Sequence, residues 1–284
     1  MVKILLLANK GLGDHIVSLP VAKELSENNQ VHCVFSNPNG FNLLKQTPYF
    51  RTSSISQDTQ IEFNSNGEVD LPKMKVKLSR LVETFSSYDK VYVNRPGYLR
   101  TLLQSLPARL QKNVIVPFST YNKNIFRPLA MANEFGFQSQ DISLKCEWYK
   151  DYYHDFKCCK NSVLLNCNSS YGNRTYINKN AIKRILEDNG FDVRELDYSI
   201  DIRTNIHLFY QISHVITTDT STLWLTKAVG KQPYVFIAEQ DISIERMEII
   251  LSVKNIVGRY KDINSIPPNE IVNGFLRAFR KIQL

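Results

Sequence analysis

The run from Ile212 to Ile237, ISHVITTDTSTLWLTKAVGKQPYVFI, restricts what this chain can become more than any other stretch. A short apolar segment ending in Val215 and Ile216 stops at Thr217-Thr218-Asp219-Thr220-Ser221. Leu223, Leu225, Ala228 and Val229 then recur at helical spacing until Gly230, and a second apolar segment runs from Pro233. Strand, polar turn, helix and strand in that order are the grammar of a parallel α/β sheet. A turn of small hydroxyl residues between strand end and helix start offers backbone N–H groups, a positive dipole end and hydroxyl donors to an anion, commonly phosphate. The same residues would serve as an ordinary helix cap, and from this stretch alone the two readings stand level.

The amino-terminal part has the same grammar. Val2 to Ala8, VKILLLA, is too short and too uniformly apolar for an amphipathic helix and suits a buried parallel strand. Asn9 to Asp14 is a turn, and His15 to Ser26 carries Ile16, Leu19, Val21, Ala22 and Leu25 on a helix bent or restarted at Pro20. Val31 to Ser36 is a second strand, followed by an Asn37-Pro38-Asn39-Gly40 loop. The Gly11-Leu12-Gly13 turn is not the dinucleotide fingerprint, because position 16 is Ile where a third glycine is needed. Two glycines still bring Asp14 to the carboxyl end of the strand, where open α/β sheets bind ligands. An Asp there is either a helix cap or a catalytic carboxylate, and spacing alone favours the cap.

Further along, Thr52 to Pro72 reads as a loop or hairpin insertion. Lys73, Lys75, Lys77 and Arg80, beside Leu78, Leu81, Val82 and Phe85, form a basic amphipathic helix, either a solvated face or a surface that steers an acceptor. Tyr88 to Asn94 and Asn113 to Pro117 are strands, Arg95 to Arg100 is a cationic turn, and Ile125 to Phe137 is a helix. Lys145 to Lys160, with Trp148, Tyr149, Tyr152, Tyr153 and His154, is charged and aromatic without alternation. It marks a linker, its rings either interdomain packing or a stacking platform for bases. The grammar then restarts: strand Ser162 to Asn166, polar turn Cys167 to Tyr176, helix Lys179 to Asn189 closed by Gly190, strand Phe191 to Leu196. The segment Arg203 to Gln211 leads into the opening feature, and an amphipathic helix runs from Glu270 to Ile282. These elements predict two Rossmann-like domains, 1–155 and 156–284, facing each other across a cleft.

Composition narrows the partners. With 22% charged and 43% hydrophobic residues the chain is globular rather than disordered. A net charge of +8 makes polyanions natural partners, namely nucleic acid, an anionic glycan or membrane surface, or a phosphorylated small molecule, although no block of consecutive Lys or Arg occurs. Five cysteines, Cys33, Cys146, Cys158, Cys159 and Cys167, lack any C-x-x-C spacing, which argues against a disulfide framework or zinc site and suits a reducing cytoplasm. The first residues do not make a secretory signal, and no apolar stretch reaches membrane-spanning length. A cytoplasmic protein is expected, with any membrane contact peripheral; a phage-encoded enzyme acting in the host cytoplasm meets the same description.

Taken together, ILLLANKGLGDHIVSLP (Ile4 to Pro20) and VITTDTSTLWLTKAVGKQPYVFI resemble the motifs of glycosyltransferase family 9, the ADP-heptose:lipopolysaccharide heptosyltransferases of GT-B fold. The first is similar to that family's strand, L-G-D turn and helix with an L-P element, the second to its D-T-G-x-x-H-x-A-x-A-x-G-x-P element. VYVNRPGYLRTLL and LLNCNSSYGNRTY fall where the family carries D-x-Q-G-x-x-K-S and a T-T-x-x-K phosphate-binding turn. The resemblance implies Asp14 as catalytic base. It implies Ser169, Ser170, Arg174, Asp219, Thr220 and Ser221 as contacts of the donor diphosphate, and Arg100 near the family's basic acceptor residue. Lys10 and Arg95 join Arg100 as acceptor candidates. The chain departs from the family at Ser221 for Gly, Trp224 for His, and Asn94 and Arg95 for Asp and Gln. Only Glu195, Asp197 and Asp201 offer themselves for the donor ribose.

The expected activity is transfer of a hexosyl, pentosyl or heptosyl group from a nucleoside-diphosphate sugar to a hydroxyl of an anionic acceptor, either a lipopolysaccharide or surface glycan or DNA carrying a hydroxylated base. No cofactor is expected beyond the donor substrate, and no metal: the chain has no Asp-x-Asp pair to bridge a metal-bound diphosphate, and in-line attack would invert the anomeric centre. Two other classes stand beside it. A non-catalytic nucleic-acid-binding α/β protein explains the charge but not two phosphate-type turns. An NAD-dependent oxidoreductase lacks both its third glycine and an acid after the second strand.

Overall fold

The computed structural model describes residues 1–8, 11–56, 65, 70–94, 106–115, 136, 159–169, 175–238, 256–257 and 260–280. The chain divides into two units, Met1–Tyr121 with Pro128–Ser143 and Asn122–Arg127 with Leu144–Leu284. The helix expected over 125–137, apart from Gly136, and the domain boundary expected at 155/156 lie outside the described residues. So does the linker expected over 145–160, apart from Cys159 and Lys160, which open a strand instead.

The first unit is a five-stranded sheet in the order β3-β2-β1-β4-β5. Its strands are β1 (Lys3–Ala8), β2 (Gln30–Phe35), β3 (Thr52–Ile55), β4 (Lys90–Val93) and β5 (Val114–Ile115), and every pairing is parallel. Central β1 is why VKILLLA is uniformly apolar: both its faces are covered, and Leu5, Leu6 and Leu7 are at most 1% exposed. Each such side chain contributes roughly 1.5–3 kcal/mol of burial. One face is closed by helix α4 (Leu71–Ser86), whose Met74, Leu81 and Phe85 join Leu5 and Leu7 in a buried cluster.

Two expectations are corrected here. Thr52 to Ile55 is not loop but an edge strand, with Thr52 to Ile55 in register with His32 to Phe35. Pro38–Leu44 is helix α3 rather than loop, because Asn37 accepts N–H bonds from Asn39 and Gly40 and Pro38 opens the helix where no N–H is needed. The segment after β1 is two helices, α1 (Leu12–Val17) and α2 (Leu19–Ser26), with Pro20 in the first turn of the second.

The second unit is another parallel five-stranded sheet, in the order β10-β9-β8-β6-β7. It is built from β6 (Cys159–Asn166), β7 (Asp192–Arg194), β8 (Ile212–Thr217), β9 (Tyr234–Ile237) and β10 (Ile256–Val257). β6 starts earlier than expected. Its first residues are irregular, with Asn161 at φ 58° and a register shift between Cys159 and Val163. Ser162 and Ser213 bridge this piece reciprocally, each hydroxyl accepting the other's backbone N–H at 3.0 Å. The helices are α6 (Lys179–Asp188), α7 (Ile202–Gln211), α8 (Ser221–Ala228) and the terminal α9 (Pro268–Arg280), α5 (Ala108–Gln111) belonging to the first unit. The α7 end is capped in trans by Lys231, whose ammonium donates to the carbonyls of Phe209, Tyr210 and Ile212. α8 stops at Gly230, which takes φ 78°, a region only glycine enters without strain.

Strand order fixes where ligands bind. In open parallel sheets the site lies beyond the carboxyl ends of the strands where the order reverses. In the first unit that point is between β1 and β4, under the Gly11–Asp14 turn. In the second it is between β6 and β8, under the turns that start at Cys167 and Thr218.

Candidate functional site

In the first unit the Asp14 carboxylate does cap its helix. Asp14 is the third residue of α1, and its Oδ2 accepts the Gly11 N–H at 3.2 Å, the one half of a capping box that a glycine permits. The cap and the catalytic reading are compatible, since the cap is what fixes the carboxylate at the switch point, 8% exposed. A second set of bonds ties the helix to β4. The buried Asn94 amide donates to the Asp14 carbonyl at 3.1 Å and to Ser18 Oγ at 2.8 Å, and Ser18 Oγ donates back to the Asp14 carbonyl at 2.8 Å. Asn94, where the resembled family has Asp, is thus a structural clamp on the segment that carries Asp14.

His15 lies beneath this turn, 1% exposed, with its ring tilted against Phe35 at 5.4 Å between centroids. Neither ring nitrogen has a hydrogen-bond partner among the described residues. Burial pushes its pKa down to about 4, against weaker upward pulls from Asp14 and the nearby Ala8 carbonyl, so the ring is neutral at physiological pH. The unfolded ring protonates near 6.5. Its contribution to stability is therefore whole above that pH and is lost as pH falls toward 4, by about 3 kcal/mol. Denaturant titrations of the wild type and of His15→Leu at pH 7.0 and 4.5 check this. The variant should lose clearly less stability between the two pH values, and equal losses would refute the assignment.

In the second unit the hydroxyl-rich turn is built as both readings require. Thr220 is the N-cap of α8, its Oγ1 accepting the Thr222 N–H at 3.3 Å and lying 3.2 Å from Thr217 Oγ1. Ser221 opens the helix, and Asp219 sits in the bend between strand and helix. Thr218 is wholly buried, and its hydroxyl has no partner among the described residues. A buried hydroxyl without a partner costs about 1–3 kcal/mol, and this one lies two residues before the N-cap of α8, 0% exposed. From the neighbouring turn after β6, Ser169 is held by Thr175, whose hydroxyl accepts the Ser169 N–H at 3.1 Å. Ser170 and Arg174 lie outside the described residues, as do the acceptor candidates Lys10, Arg95 and Arg100.

The structure adds residues that spacing could not reveal. Asn166, at the end of β6 and 4% exposed, donates to Thr222 Oγ1 at 2.5 Å, while its Oδ1 accepts from the Asn168 N–H at 3.1 Å and the Tyr198 hydroxyl at 2.8 Å. One amide thereby joins the turns after β6, β7 and β8. Trp224 is buried in α8, 5% exposed, so it packs in the core. Of the three acids considered for a ribose, Asp201 caps α7 through the Arg203 N–H at 2.7 Å, and Asp197 holds the N–H and hydroxyl of Ser199. Among the described residues Glu195 is held by side chains, Lys179 at 2.5 Å and Lys183 at 3.9 Å. On the basic helix α4, Lys77 is 7% exposed and so does not belong to the solvent-facing set with Lys73, Lys75 and Arg80. No described helix is long and apolar enough to cross a membrane.

Two parallel α/β units, one with a carboxylate at its switch point and the other with a hydroxyl-rich helix start, define an α/β protein with the GT-B fold. No family model matches the sequence, and no curated protein matches it either. Among solved structures the chain is similar to the glycosyl transferase family 9 protein of Veillonella parvula, with 9% identity and a TM-score of 0.67 over 99% of this chain and 97% of that one. It is similar to the E. coli ADP-heptose lps heptosyltransferase II, with 13% identity and a TM-score of 0.64 over 99% and 100% of the two chains. It is also similar to the E. coli heptosyltransferase WaaC with ADP, with 11% identity and a TM-score of 0.64 over 97% and 99%. At these identities the likeness is one of fold.

Proposed function

We propose that this protein is a glycosyltransferase that moves a sugar from a nucleoside-diphosphate sugar to a hydroxyl of an anionic acceptor. The observation that carries the reading is the second unit's switch point, where Thr220, with its Oγ1 3.2 Å from Thr217 Oγ1, caps the start of α8. Helix-start amides and hydroxyls of this kind bind a diphosphate, and with Ser169, Ser170, Arg174, Ser221 and the backbone N–H of Asp219 they would stabilise the charge that develops on it. Support comes from two neighbours of the same fold, one holding ADP and the other described as acting with ADP-heptose.

In the reaction, the Asp14 carboxylate takes the proton of the acceptor hydroxyl. The acceptor oxygen forms a bond to the anomeric carbon as the bond to the diphosphate oxygen breaks, and the nucleoside diphosphate leaves with the electron pair. Attack from the face opposite the leaving group inverts the anomeric centre, and the cradle neutralises the leaving group with hydroxyls, amides and Arg174 in place of a metal ion. Glu195, which among the described residues is held by the flexible Lys179 and Lys183 side chains, takes the donor ribose.

Lys73, Lys75, Arg80, Arg109 and Lys112 are exposed on the first unit, and with Lys10, Arg95 and Arg100 they make an anionic acceptor the natural choice. A phosphorylated lipopolysaccharide core fits the likeness to the heptosyltransferases; a hydroxylated-base DNA acceptor draws no support from the comparisons. Thermal-shift measurements with ADP-, UDP-, GDP- and dTDP-linked sugars and with NAD test the reading. Stabilisation by a sugar nucleotide, followed by nucleoside-diphosphate release on addition of lipopolysaccharide core, is the expected result. Stabilisation by NAD alone, or by none of the probes, would refute it.

A further inference from the structure

Tyr198 combines exposure with anchorage. It is 63% exposed, yet its ring is not left to rotate. Its hydroxyl donates to Oδ1 of the buried Asn166 at 2.8 Å, and its backbone lies in a turn fixed on both sides. Asp197 Oδ1 accepts the Ser199 N–H at 2.8 Å and its hydroxyl at 2.6 Å, and the Asp197 carbonyl accepts from the Asn205 side chain, on α7, at 2.7 Å. Exposed side chains normally keep their rotamer freedom, and fixing one has a conformational cost that an isolated surface tyrosine does not repay. Here one bond holds the ring by its hydroxyl, and three more fix the residues beside it, while the residue as a whole stays exposed. They hold it at the carboxyl end of the second sheet, above the same Asn166 whose amide donates to Thr222 in the first turn of α8.

We infer that Tyr198 is the stacking platform for the planar base of the donor nucleotide, and hence a residue that supplies affinity for the base beyond that for the diphosphate. The inference rests on the donor-site reading above and extends it from the phosphates to the base. An aromatic face pinned through its hydroxyl offers area with little entropy left to lose on binding. The position suits a nucleotide: Tyr198 lies in the turn after β7 and its hydroxyl bonds the same Asn166 that bonds Thr222 in the first turn of α8, so the ring and the proposed diphosphate turn are neighbours. The two bonds of the Asn166 amide link the platform to the first turn of α8. Base stacking on aromatic side chains tolerates any base, so discrimination among bases would come from how each one's edge meets the polar groups around this ring.

The test uses isothermal titration of the full chain with ADP, UDP, GDP, CDP and inorganic pyrophosphate, for the wild type, Tyr198→Ala and Tyr198→Phe, with circular dichroism to establish that each is folded. The expected result is that the wild type binds at least one nucleoside diphosphate more tightly than pyrophosphate. Tyr198→Ala should weaken that nucleotide between about 5-fold and 100-fold while leaving pyrophosphate within about twofold. Tyr198→Phe, which keeps the ring and loses the anchor, should fall in between. Nucleotide affinity unchanged in Tyr198→Ala overturns the inference. So does an equal loss of nucleotide and pyrophosphate, which would make Tyr198 a prop of the phosphate turn acting through Asn166. A wild type that binds pyrophosphate but prefers no nucleotide overturns the base platform alone, whereas one that binds neither overturns the donor site itself.

Discussion

Gly40→Ala should destabilise the first unit by at least about 3 kcal/mol, the upper end of what overpacking a core costs. A Cβ at position 40 would stand 1.7 Å from His15 Nδ1, 2.6 Å from Cε1 and 2.8 Å from Cγ. The ring cannot retreat, since it is buried with Phe35 against it. Glycine is needed here for close approach and not for backbone conformation: helix α3 lies on α1 with an imidazole in direct contact with its backbone. Removing the ring relieves the clash. The double variant Gly40→Ala/His15→Ala should therefore be more stable than Gly40→Ala alone, a non-additivity of more than about 1 kcal/mol. Urea denaturation of the wild type, the two single variants and the double variant measures it, and additive effects would contradict the geometry.

Asp14→Asn should lower turnover by about 10²- to 10⁴-fold, the usual contribution of a general base, with nucleotide affinity unchanged. Asparagine is nearly isosteric and its Oδ1 can still accept the Gly11 N–H that Asp14 accepts at 3.2 Å, so α1 should remain capped and the fold intact. The variant thus separates the two roles of one carboxylate. Asp14→Ala removes both, and should add a loss of stability of about 1 kcal/mol to the loss of turnover. Single-turnover transfer assays together with nucleotide titrations make the distinction. An active Asp14→Asn protein would remove Asp14 from the role of base while leaving its cap in place.

The parts of the fold that could be read in the sequence are those where one face, or both, must be apolar. VKILLLA could only be a central strand, and the opening stretch formed strand, turn and helix with Gly230 at the stop, as its pattern requires. What escaped reading escaped for identifiable reasons. Thr-Ser-Ser-Ile at 52–55 is an edge strand with little buried side chain, stabilised by its ladder to β2, so no apolar alternation marks it. Asn37-Pro38-Asn39-Gly40 has the composition of a turn, yet Asn as N-cap and Pro at the first position also start a helix, and only the burial of Leu43 and Leu44 decides between them.

The site divides in the same way. Asp14 and Thr220 were legible as candidates because each falls in the segment that follows an apolar strand. Asn166, Tyr198 and Thr222 were not, because their bonds join residues 32 and 56 positions apart, and strand order, which no spacing encodes, brings those turns together. The contact of His15 with Gly40 is of the same long-range kind. Trp224, a departure from the resembled family in sequence, is buried in α8.

The central claim is that the turn from Thr217 to Ser221 holds the diphosphate of a sugar nucleotide. Amide hydrogen exchange followed by mass spectrometry, on the full chain with and without each of ADP-, UDP-, GDP- and dTDP-linked sugars, tests it most directly. One of these ligands should slow exchange in peptides covering 217–223, with lesser protection at 166–169 and 195–198. Saturating concentrations of all four that leave 217–223 unprotected, or protection of some other segment without it, would contradict the account.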